Sequence, residues 1–520
     1  MKIVTLASIY IGSYEICMKI QELLPGKKQI HDVDQIRSRL DLGREVYENG
    51  RIGYKKVDEL CEVLNEFNEI SQSYRCEECL VFAGSTFKNA SNMIFVLEQI
   101  RVRTGISIQV LSNSEQRALG YKVVSGMEDF PLLIQEGCVL IDVGGRSIQI
   151  TVFDAGHMVF TKQVAIGSLR LLQALSLARS NEEKREKQIL EMVEKEIVAF
   201  RSIYGNGRTP RHLIFMGQYL DEIFHNKLKS PKLLGMESGS DVKTVMPAGT
   251  FHEKIKNIYR SDMDALSDKY DFLNVNDPNF KPSMIMYDGL VRELQPEFIW
   301  ITGFEMTDGI ACDYALKKKI LKNPHDYDDD ILSSAREIAA RYKCHEPHIK
   351  AMEKIAVAVF NASKKVNGMT VRDRLLLQTA VYLHDCGKYV SMADHADMSY
   401  HIIMGSEILG LTHSERQVIA FAVKYHKVEL APYEELKDIL NMEEYILVAK
   451  IAAILRLANA LDRSHKQKIQ ELKVVLKEKQ LVMTVDVTKN SVWEQIRFEQ
   501  QADLFEQVFS LQPVLKEKRK

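Results

Sequence analysis

Short apolar runs alternate with amphipathic stretches through the first 320 residues. The run 3–11 (IVTLASIYI) predicts a strand, and 55–70 (KKVDELCEVLNEFNEI) places its apolar residues on one face of a helix. ECLVFAG predicts a buried strand, and residues 138–167 predict three strands joined by tight glycine turns. This alternation predicts an α/β fold of mixed sheets with helices on both faces.

The pattern changes near the acidic segment NPHDYDDD. Residues 327–465 show almost continuous helical periodicity, and two strand-like runs and a last helix follow. We interpret the cluster Asp326–Asp330 as a solvated helix start rather than a metal site, because aspartates favour helix N-termini. The sequence therefore predicts two α/β domains, an all-α domain and a small mixed α/β tail, at 1–125, 126–320, 325–465 and 466–520.

Composition restricts the classes of partner and compartment. The 69 basic and 71 acidic residues nearly cancel, so no global charge favours nucleic acid or a membrane surface as a partner. Eight scattered cysteines, including an isolated Cys76-x-x-Cys79, indicate a reducing compartment rather than a disulfide framework. The N-terminus reads as a strand and turn, and no apolar run reaches membrane-spanning length. We expect a cytoplasmic protein without a nucleic-acid or membrane partner.

Two strand–turn–strand segments, SIYIGSYEICMKI and LIDVGGRSIQITVF, resemble each other. A glycine turn exposes backbone N–H groups that can hold phosphate oxygens, although ordinary hairpins also need glycine. The repetition in two α/β units favours two domains that face one cleft, with ligand beside the strand ends.

Several segments then point to a family. LVFAGSTFKNASN resembles an Ala-Thr-Ser-Ala-x-Arg-Glu-Ala-x-Asn motif, and VLSNSEQRALG resembles a Ser-Gly-x-Glu-Glu-Ala-Arg motif. LIDVGGRSIQI is similar to an Asp-Ile-Gly-Gly-Gly-Ser-x-Glu loop. Their order and spacing resemble the Ppx/GppA family of exopolyphosphatases and guanosine pentaphosphate phosphohydrolases. The resemblance implies two actin-like (ribonuclease H-like) domains flanking a cleft, a homodimer, and polyphosphate or guanosine pentaphosphate or tetraphosphate as ligand.

The chain departs from this family at the carboxylates. Tyr10 stands where the resemblance implies an aspartate, Gln116 where it implies the general-base glutamate, and Gln149 where it implies a closing carboxylate. Asp142 matches the metal-side aspartate, and the neighbouring Glu115 is the candidate replacement base. Since an amide cannot take a proton from water at neutral pH, we expect weak or absent hydrolysis and a weakened Mg²⁺ site.

Phosphate binding needs donors and cations rather than a base. Arg146 adds a cation in the second glycine loop, although a surface arginine in a turn explains it equally well. Lys88 stands where the family has an arginine, and the family's third phosphate loop is reduced to MGQYL. The candidate phosphate-binding residues are Gly12, Ser13, Lys88, Gly144, Gly145, Arg146, Ser147 and Gly217.

The helical region resembles an HD domain, which binds divalent metal through a His…His-Asp…Asp pattern. YLHDCGKY supplies two of these residues, and the family's last aspartate is replaced by Asn459. The resemblance implies a divalent metal held by His348, His384, Asp385 and Asp462. Core histidines that bind backbone are the plain alternative. We place His395 and His426 in the same cleft and His401 on the helix surface.

Two further functions remain open at this point. The protein could act as a non-catalytic regulatory or scaffold dimer with an occluded cleft, which Tyr10 entering the cleft would favour. Alternatively, the HD-like site could be the working phosphohydrolase, acting on a nucleotide.

Overall fold

The computed structural model describes residues 3–24, 29–144, 147–168, 170–172, 182–205, 209–216, 218–224, 244–270, 273, 278–322, 325–487 and 491–518. The chain divides into two compact units, Met1–Asp326 and Tyr327–Lys520. Within the described ranges, no helix combines the length and the apolar character needed to cross a bilayer.

The first unit contains two sheets. Sheet 1 is formed by β1 (Val4–Ile11), β2 (Glu15–Leu24), β3 (Gln29–Arg39), β4 (Glu78–Ala83) and β5 (Gln109–Val110). Sheet 2 is formed by β6 (Cys138–Val143), β7 (Ile148–Asp154), β8 (His157–Val164), β9 (His212–Met216), β10 (Thr244–Pro247) and β11 (Phe298–Ile301).

The two sheets repeat one arrangement. Sheet 1 has the order β3-β2-β1-β4-β5, and sheet 2 has the order β10-β11-β9-β6-β7-β8. In each, three antiparallel strands (β1 to β3, and β6 to β8) are extended by a parallel neighbour of the first, β4 beside β1 and β9 beside β6. This repetition confirms the α/β fold, including the three strands predicted from residues 138–167.

Helices cover both sheets, and their apolar positions follow the helical period. In the helix predicted at 55–70, the buried residues Val57, Leu60, Cys61, Leu64 and Phe67 form one face. The helices of this unit are α1 (Leu42–Asn49), α2 (Tyr54–Ser73), α3 (Ser85–Asn89), α4 (Met93–Thr104), α5 (Asn113–Val124), α6 (Phe130–Glu136), α7 (Glu182–Phe200), α8 (Gln218–Phe224), α9 (Ala248–Arg260), α10 (Met263–Lys269), α11 (Phe280–Leu294) and α12 (Met306–Lys317).

Helix α12 follows sheet 2 in the chain but packs on β1, β2 and α5. Lys19 on β2 donates to both carboxylate oxygens of Asp308 at 2.8 and 2.9 Å. A Cβ at Gly309 would lie 2.9 Å from the backbone of Leu119, so glycine permits α12 and α5 to approach closely. Segment 306–317 therefore packs with sheet 1, although the sequence-based boundary assigned it to the second domain.

The second unit is mainly helical. Its helices are α13 (Tyr327–Arg341), α14 (Glu346–Ser363), α15 (Val371–Leu383), α16 (His395–Gly405), α17 (His413–Tyr425), α18 (Tyr433–Leu436), α19 (Met442–Leu461) and α20 (Val492–Phe509). Capping boxes begin α15, α17 and α19, where Thr370, Thr412 and Asn441 each accept a bond from an acidic residue three positions later. A short 3₁₀ turn, Cys386–Tyr389, follows α15.

A three-stranded sheet accompanies these helices. Its strands are β12 (Ile469–Lys477), β13 (Gln480–Val487) and β14 (Gln512–Lys518), in the order β12-β13-β14. The two predicted strands and the last helix are confirmed, whereas β14, which pairs parallel with β13, was not predicted. The all-α region and its mixed tail thus share one compact unit.

Candidate functional sites

The two predicted glycine turns are closed by equivalent hydrogen bonds. Gly12 N donates to Glu15 O at 2.9 Å, and Gly144 N donates to Ser147 O at 3.0 Å. Tyr10 and Asp142 each lie two positions before the glycine, at the second-last residue of β1 and of β6. The repeat therefore places a phenol in sheet 1 at the position that carries a carboxylate in sheet 2.

Tyr10 is bonded to the residue at the predicted general-base position. Its hydroxyl donates to Gln116 Oε1 at 2.9 Å, which joins β1 to α5 across 106 positions of sequence. Gln116 is 7% exposed. A Cβ at Gly84 would collide with the Tyr10 hydroxyl, so the absence of a side chain there makes room for this contact. The amide of Gln116 and the phenol of Tyr10 therefore lie together where the family resemblance implies two carboxylates.

Asp142 supplies a carboxylate beside this pair. Burial raises the pKa of Asp142 to about 6, while the charge of Arg117 acts in the opposite direction. Burial, and secondly the charge of Asp142, raises the pKa of Tyr10 above its ordinary value, so the phenol stays protonated. Gln149, the register partner of Asp142, is buried as a neutral amide.

These donors fit a Mg²⁺ ion poorly. Magnesium prefers carboxylate and phosphate oxygens, and Asp142 is the single ionisable carboxylate among the four family positions discussed above. The phenol of Tyr10 is protonated and committed to Gln116. We assign no catalytic step to a metal in this cleft.

Glu115, the candidate replacement base, lies at the start of α5. Its Oε2 accepts a bond from Ser112 N at 2.7 Å, while Ser112 Oγ accepts one from Glu115 N at 3.2 Å. This reciprocal pair is a capping box, which satisfies two N–H groups at the helix start. The carboxylate is thereby held toward the backbone, and its catalytic role remains a prediction.

The candidate phosphate-binding residues that the structure describes are those in the two turns and Lys88. Ser13 Oγ is 2.8 Å from Thr86 Oγ1, and Ser147 Oγ accepts a bond from Gln163 Nε2 at 2.6 Å. Lys88 is exposed in the last turn of α3. Because the N–H groups of Gly12 and Gly144 close their own turns, the two serine hydroxyls are the better candidate donors. Gly145, Arg146 and Gly217 lie outside the described residues.

Sequence reasoning missed one cation at this site. Arg117 is 6% exposed, and its charge acts on the carboxyl of Asp142. Its position directly after Gln116 was the available signal, but the sequence could not show that its side chain lies near β6.

The second unit brings together the predicted metal residues. His348, at 1% exposure, places Nδ1 2.8 Å from Asp462 Oδ2. Because a carboxylate only accepts hydrogen bonds, Nδ1 carries the proton and Nε2 presents its lone pair. Asp462 also accepts bonds from Gln467 N at 2.8 Å and from Gln467 Nε2 at 3.0 Å.

Three further histidines are oriented in a similar way. His384 Nδ1 lies 2.7 Å from Val381 O, His395 Nδ1 lies 3.1 Å from Met392 O, and His426 Nδ1 contacts Val423 O. Since a carbonyl only accepts, each Nδ1 donates. The Nε2 atoms of His395 and His426 then present a lone pair, whereas that of His384 faces the carboxylate of Asp385. Burial lowers the pKa of His348, His395 and His426, which favours neutral rings. His401 is exposed on α16.

Asp385 lies beside these rings. Its Oδ2 is 3.3 Å from His384 Nε2 and is contacted by Lys388 Nζ. Two positions later, Gly387 leaves no room for a side chain, because a Cβ there would collide with the backbone of His395 and Ser399. The rings of His348 and His384 are 5.2 Å apart, and those of His384 and His426 are 5.6 Å apart. Asn459, at the family's aspartate position, is buried on α19.

A further histidine that the sequence did not single out completes the cluster. The ring of His465 stacks on that of His348 with centroids 3.7 Å apart. One ligand atom from each of His348, Asp385 and His465 lies within 4.8 Å of the others. Neutral imidazoles and an ionised carboxylate are a donor set suited to a divalent transition metal, so these residues fit such an ion. When bound, it would supply Lewis acidity and a water that deprotonates more readily.

Four basic residues surround this cluster, and sequence reasoning missed them too. Burial lowers the pKa of Lys427 to about 8, and the charges of Arg463, Lys388 and Arg497 act in the same direction. Asp385 is the carboxylate that opposes them. These four residues come from separate segments of the chain, so no local sequence pattern predicts that they lie together. Their excess positive charge favours an anion beside the histidines.

Comparison with known proteins supports this architecture. The Ppx/GppA phosphatase family model matches residues 19–211, and the model for Ppx/GppA phosphatase, domain III, matches residues 332–506. Exopolyphosphatase 1 of Mycobacterium tuberculosis is 28% identical over 116 residues, which cover 22% of this chain and 33% of that protein. Exopolyphosphatase 1 of Mycobacterium leprae is 29% identical over 104 residues, covering 20% and 30%. The match thus spans about a third of the length of these relatives.

Among solved structures, an exopolyphosphatase from Cytophaga hutchinsonii has a TM-score of 0.50 at 14% identity, covering 62% of this chain and all of that one. The Aquifex aeolicus Ppx/GppA family member has a TM-score of 0.49 at 16% identity, with coverage of 62% and 100%. The Cytophaga likeness concerns the fold alone. The two family-model matches together cover more than half of the chain. The chain therefore belongs to the Ppx/GppA phosphatase family.

Proposed function

We propose that the first unit binds polyphosphate or guanosine pentaphosphate or tetraphosphate, and hydrolyses these ligands weakly or not at all. The observation that carries this proposal is the hydrogen bond from Tyr10 to Gln116. It joins two side chains at positions where the family resemblance implies carboxylates. The names of the curated relatives, both exopolyphosphatases, support the ligand class.

The chemistry of hydrolysis supports the same proposal. Cleaving a phosphoanhydride requires a base that takes the proton of the attacking water, and charge that stabilises the phosphoryl oxygens. Gln116 cannot take that proton, and its acceptor oxygen is already bonded to a protonated phenol. Losing a general base costs about 10²–10⁴ in rate.

Binding has fewer requirements than cleavage. Ser13 and Ser147 place hydroxyls in the two equivalent turns, and Arg117 and Lys88 add positive charge. Hydroxyl donors and cations recognise phosphate without a metal. We further propose, from family membership, a cytoplasmic homodimer in which any Mg²⁺ arrives with the phosphorylated ligand.

Ligand-induced stabilisation tests the binding proposal. Thermal unfolding is measured with polyphosphate, with guanosine pentaphosphate and with neither, and phosphate release is followed in the same samples with Mg²⁺ or Mn²⁺. A ligand present at about 100 times its Kd adds about 2.7 kcal/mol to the free energy of unfolding. We expect both ligands to stabilise the protein and little phosphate to be released. The stabilisation by ligand should be smaller in Lys88→Gln than in Lys55→Gln, which replaces an exposed control residue. The absence of stabilisation by either ligand would favour the scaffold function instead.

A second candidate function is metal-dependent phosphohydrolysis in the second unit. The specific observation in its favour is the histidine cluster, where His348, Asp385 and His465 converge beside four basic residues. Imidazole and carboxylate groups can hold a metal, while the basic residues would bind the phosphate of a nucleotide. This arrangement resembles the HD-like site implied by the sequence.

The test of this candidate compares variants within the second unit. Phosphate release from guanosine pentaphosphate and from nucleoside triphosphates is measured after loading with Mn²⁺ or Zn²⁺. Hydrolysis that disappears in Asp385→Ala and persists in the exposed control His401→Ala supports it. The same loss in both variants, or no hydrolysis of any of these substrates, counts against it.

A further inference from the structure

The buried histidines of the second unit have unsatisfied ring nitrogens. Among the described residues, no hydrogen-bond partner contacts His348 Nε2, His426 Nε2 or Asp385 Oδ1. These side chains are between 1% and 6% exposed. Buried polar atoms in proteins are nearly always paired. Three orphaned acceptors in one cluster indicate an electron-pair acceptor that is not part of the chain.

His465 is placed in this cluster by an unusual backbone. It lies in the segment after α19 with φ +55°, a left-handed conformation that non-glycine residues seldom adopt. The conformation stacks its ring on His348 and brings its ligand atom within 4.8 Å of those of His348 and Asp385.

Asp462, unlike the orphaned atoms of the cluster, is fully hydrogen-bonded within the protein. One of its oxygens accepts from His348 Nδ1 and from Gln467 Nε2, and the other accepts from Gln467 N. Both carboxylate oxygens are therefore engaged by protein donors. A carboxylate that binds the Nδ1–H of a histidine fixes the orientation of the ring and increases the basicity of its Nε2.

We infer that His348, Asp385 and His465 bind one divalent first-row transition metal, and that Asp462 positions His348 instead of binding the ion. His465 thus takes the ligand role that the sequence assigned to Asp462. Two imidazoles and a carboxylate, with His384 adjacent, favour ions such as Zn²⁺, Fe²⁺ or Co²⁺ over Mg²⁺, which prefers oxygen ligands. This inference deepens the second candidate function and rests on the same cluster, but it concerns metal binding and requires no hydrolysis.

Cobalt binding tests this assignment directly. The full chain is stripped of metal with a chelator and titrated with Co²⁺, whose visible absorption reports its ligands. We expect one Co²⁺ per chain, which Zn²⁺ displaces and excess Mg²⁺ does not. His401→Ala, the exposed histidine of α16, should bind as the wild type does.

Two variants separate a ligand from a positioning residue. Asp462→Asn, which keeps an acceptor for His348 Nδ1, should weaken Co²⁺ binding by about 10–100-fold and leave the band positions unchanged. His465→Ala should weaken binding further and shift the bands, because a ligand is lost. If His465→Ala does not fold by circular dichroism, His465→Gln replaces it.

Several results would overturn the inference. One is that the His465 variant binds Co²⁺ as tightly as the wild type, and another is that the absorption bands shift in Asp462→Asn but not in the His465 variant. The others are that Mg²⁺ displaces the bound Co²⁺, or that the wild type binds no Co²⁺. None of these measurements uses phosphate release. A metal site without hydrolysis would therefore refute the second candidate function and leave the metal assignment intact.

Discussion

Replacing Tyr10 with phenylalanine removes one buried hydroxyl and tests the contact on which the functional proposal rests. The hydroxyl donates to Gln116 Oε1 at 2.9 Å, and Gln116 is 7% exposed. Without the donor, a buried amide oxygen has lost its partner, which costs about 1–3 kcal/mol. For a unit of this size, that loss corresponds to a fall in Tm of roughly 2–4 °C.

A double-mutant cycle isolates the pair from other effects of the substitutions. Tyr10→Phe, Gln116→Leu and the double variant are unfolded in urea, and their free energies of unfolding are compared with that of the wild type. Each single variant leaves one polar atom unpaired, whereas the double variant removes both partners. We expect the double variant to be more stable than the sum of the two single losses predicts, by about 1 kcal/mol.

Additive losses would refute the reasoning, because they would mean that the two side chains do not interact in solution. The same variants provide a functional control. None of them supplies a general base, so none should release phosphate faster than the wild type. A gain of phosphate release in Tyr10→Phe would show that the phenol merely obstructs a competent site.

Two further predictions concern buried carboxylates of the first unit. Burial raises the pKa of Asp142 to about 6, so its ionised form destabilises the fold above that pH, and stability is regained as pH falls from about 6 toward the ordinary value of 3.8. Asp142→Asn should therefore raise the free energy of unfolding by at most about 3 kcal/mol at pH 7.5 and by little at pH 4, and an equal effect at both would contradict this. Asp308→Asn leaves the Lys19 ammonium, whose side chain is 7% exposed, without its closest carboxylate, and should cost about 3 kcal/mol. Asp313→Asn is the matched control in urea unfolding and should cost less, because the side chain of its partner Lys122 is 28% exposed; equal losses would count against the burial argument.

The sequence predicted those features that depend on local hydrogen bonding. The glycine turns at Gly12 and Gly144 each join two strands, so their equivalence is visible as a repeated strand–turn–strand pattern before the structure is known. The position of His384 and Asp385 at the end of an apolar helix was likewise visible in the sequence.

Contacts between distant segments could not be predicted in this way. Nothing in the sequence shows that the phenol of Tyr10 reaches Gln116, or that α12 returns to sheet 1 and buries Asp308 against Lys19. Both depend on tertiary packing between segments that are far apart in the sequence. No periodicity of 2 or 3.6 residues encodes that packing.

The histidine cluster of the second unit shows a third kind of limit. Asp462 was predicted as a ligand because it lies one turn after the family's aspartate position, but the structure engages its oxygens with His348 and Gln467. His465 was missed because its stacking on His348 depends on the path of the chain after α19, which no local pattern in the sequence shows. The surrounding basic residues come from four segments and likewise lacked a local pattern.

The most direct measurement of the central claim is phosphate release from polyphosphate and guanosine pentaphosphate by the wild type and by the triple variant Tyr10→Asp/Gln116→Glu/Gln149→Glu. The assay uses Mg²⁺ or Mn²⁺, and Lys55→Gln serves as an exposed control. The account predicts a nearly inert wild type and control, and a gain in the triple variant of up to about 10²–10⁴-fold, the effect expected of a restored base. Rapid turnover by the wild type that the Asp142→Asn variant abolishes would contradict it, because this cleft would then cleave phosphate with its amide and phenol in place.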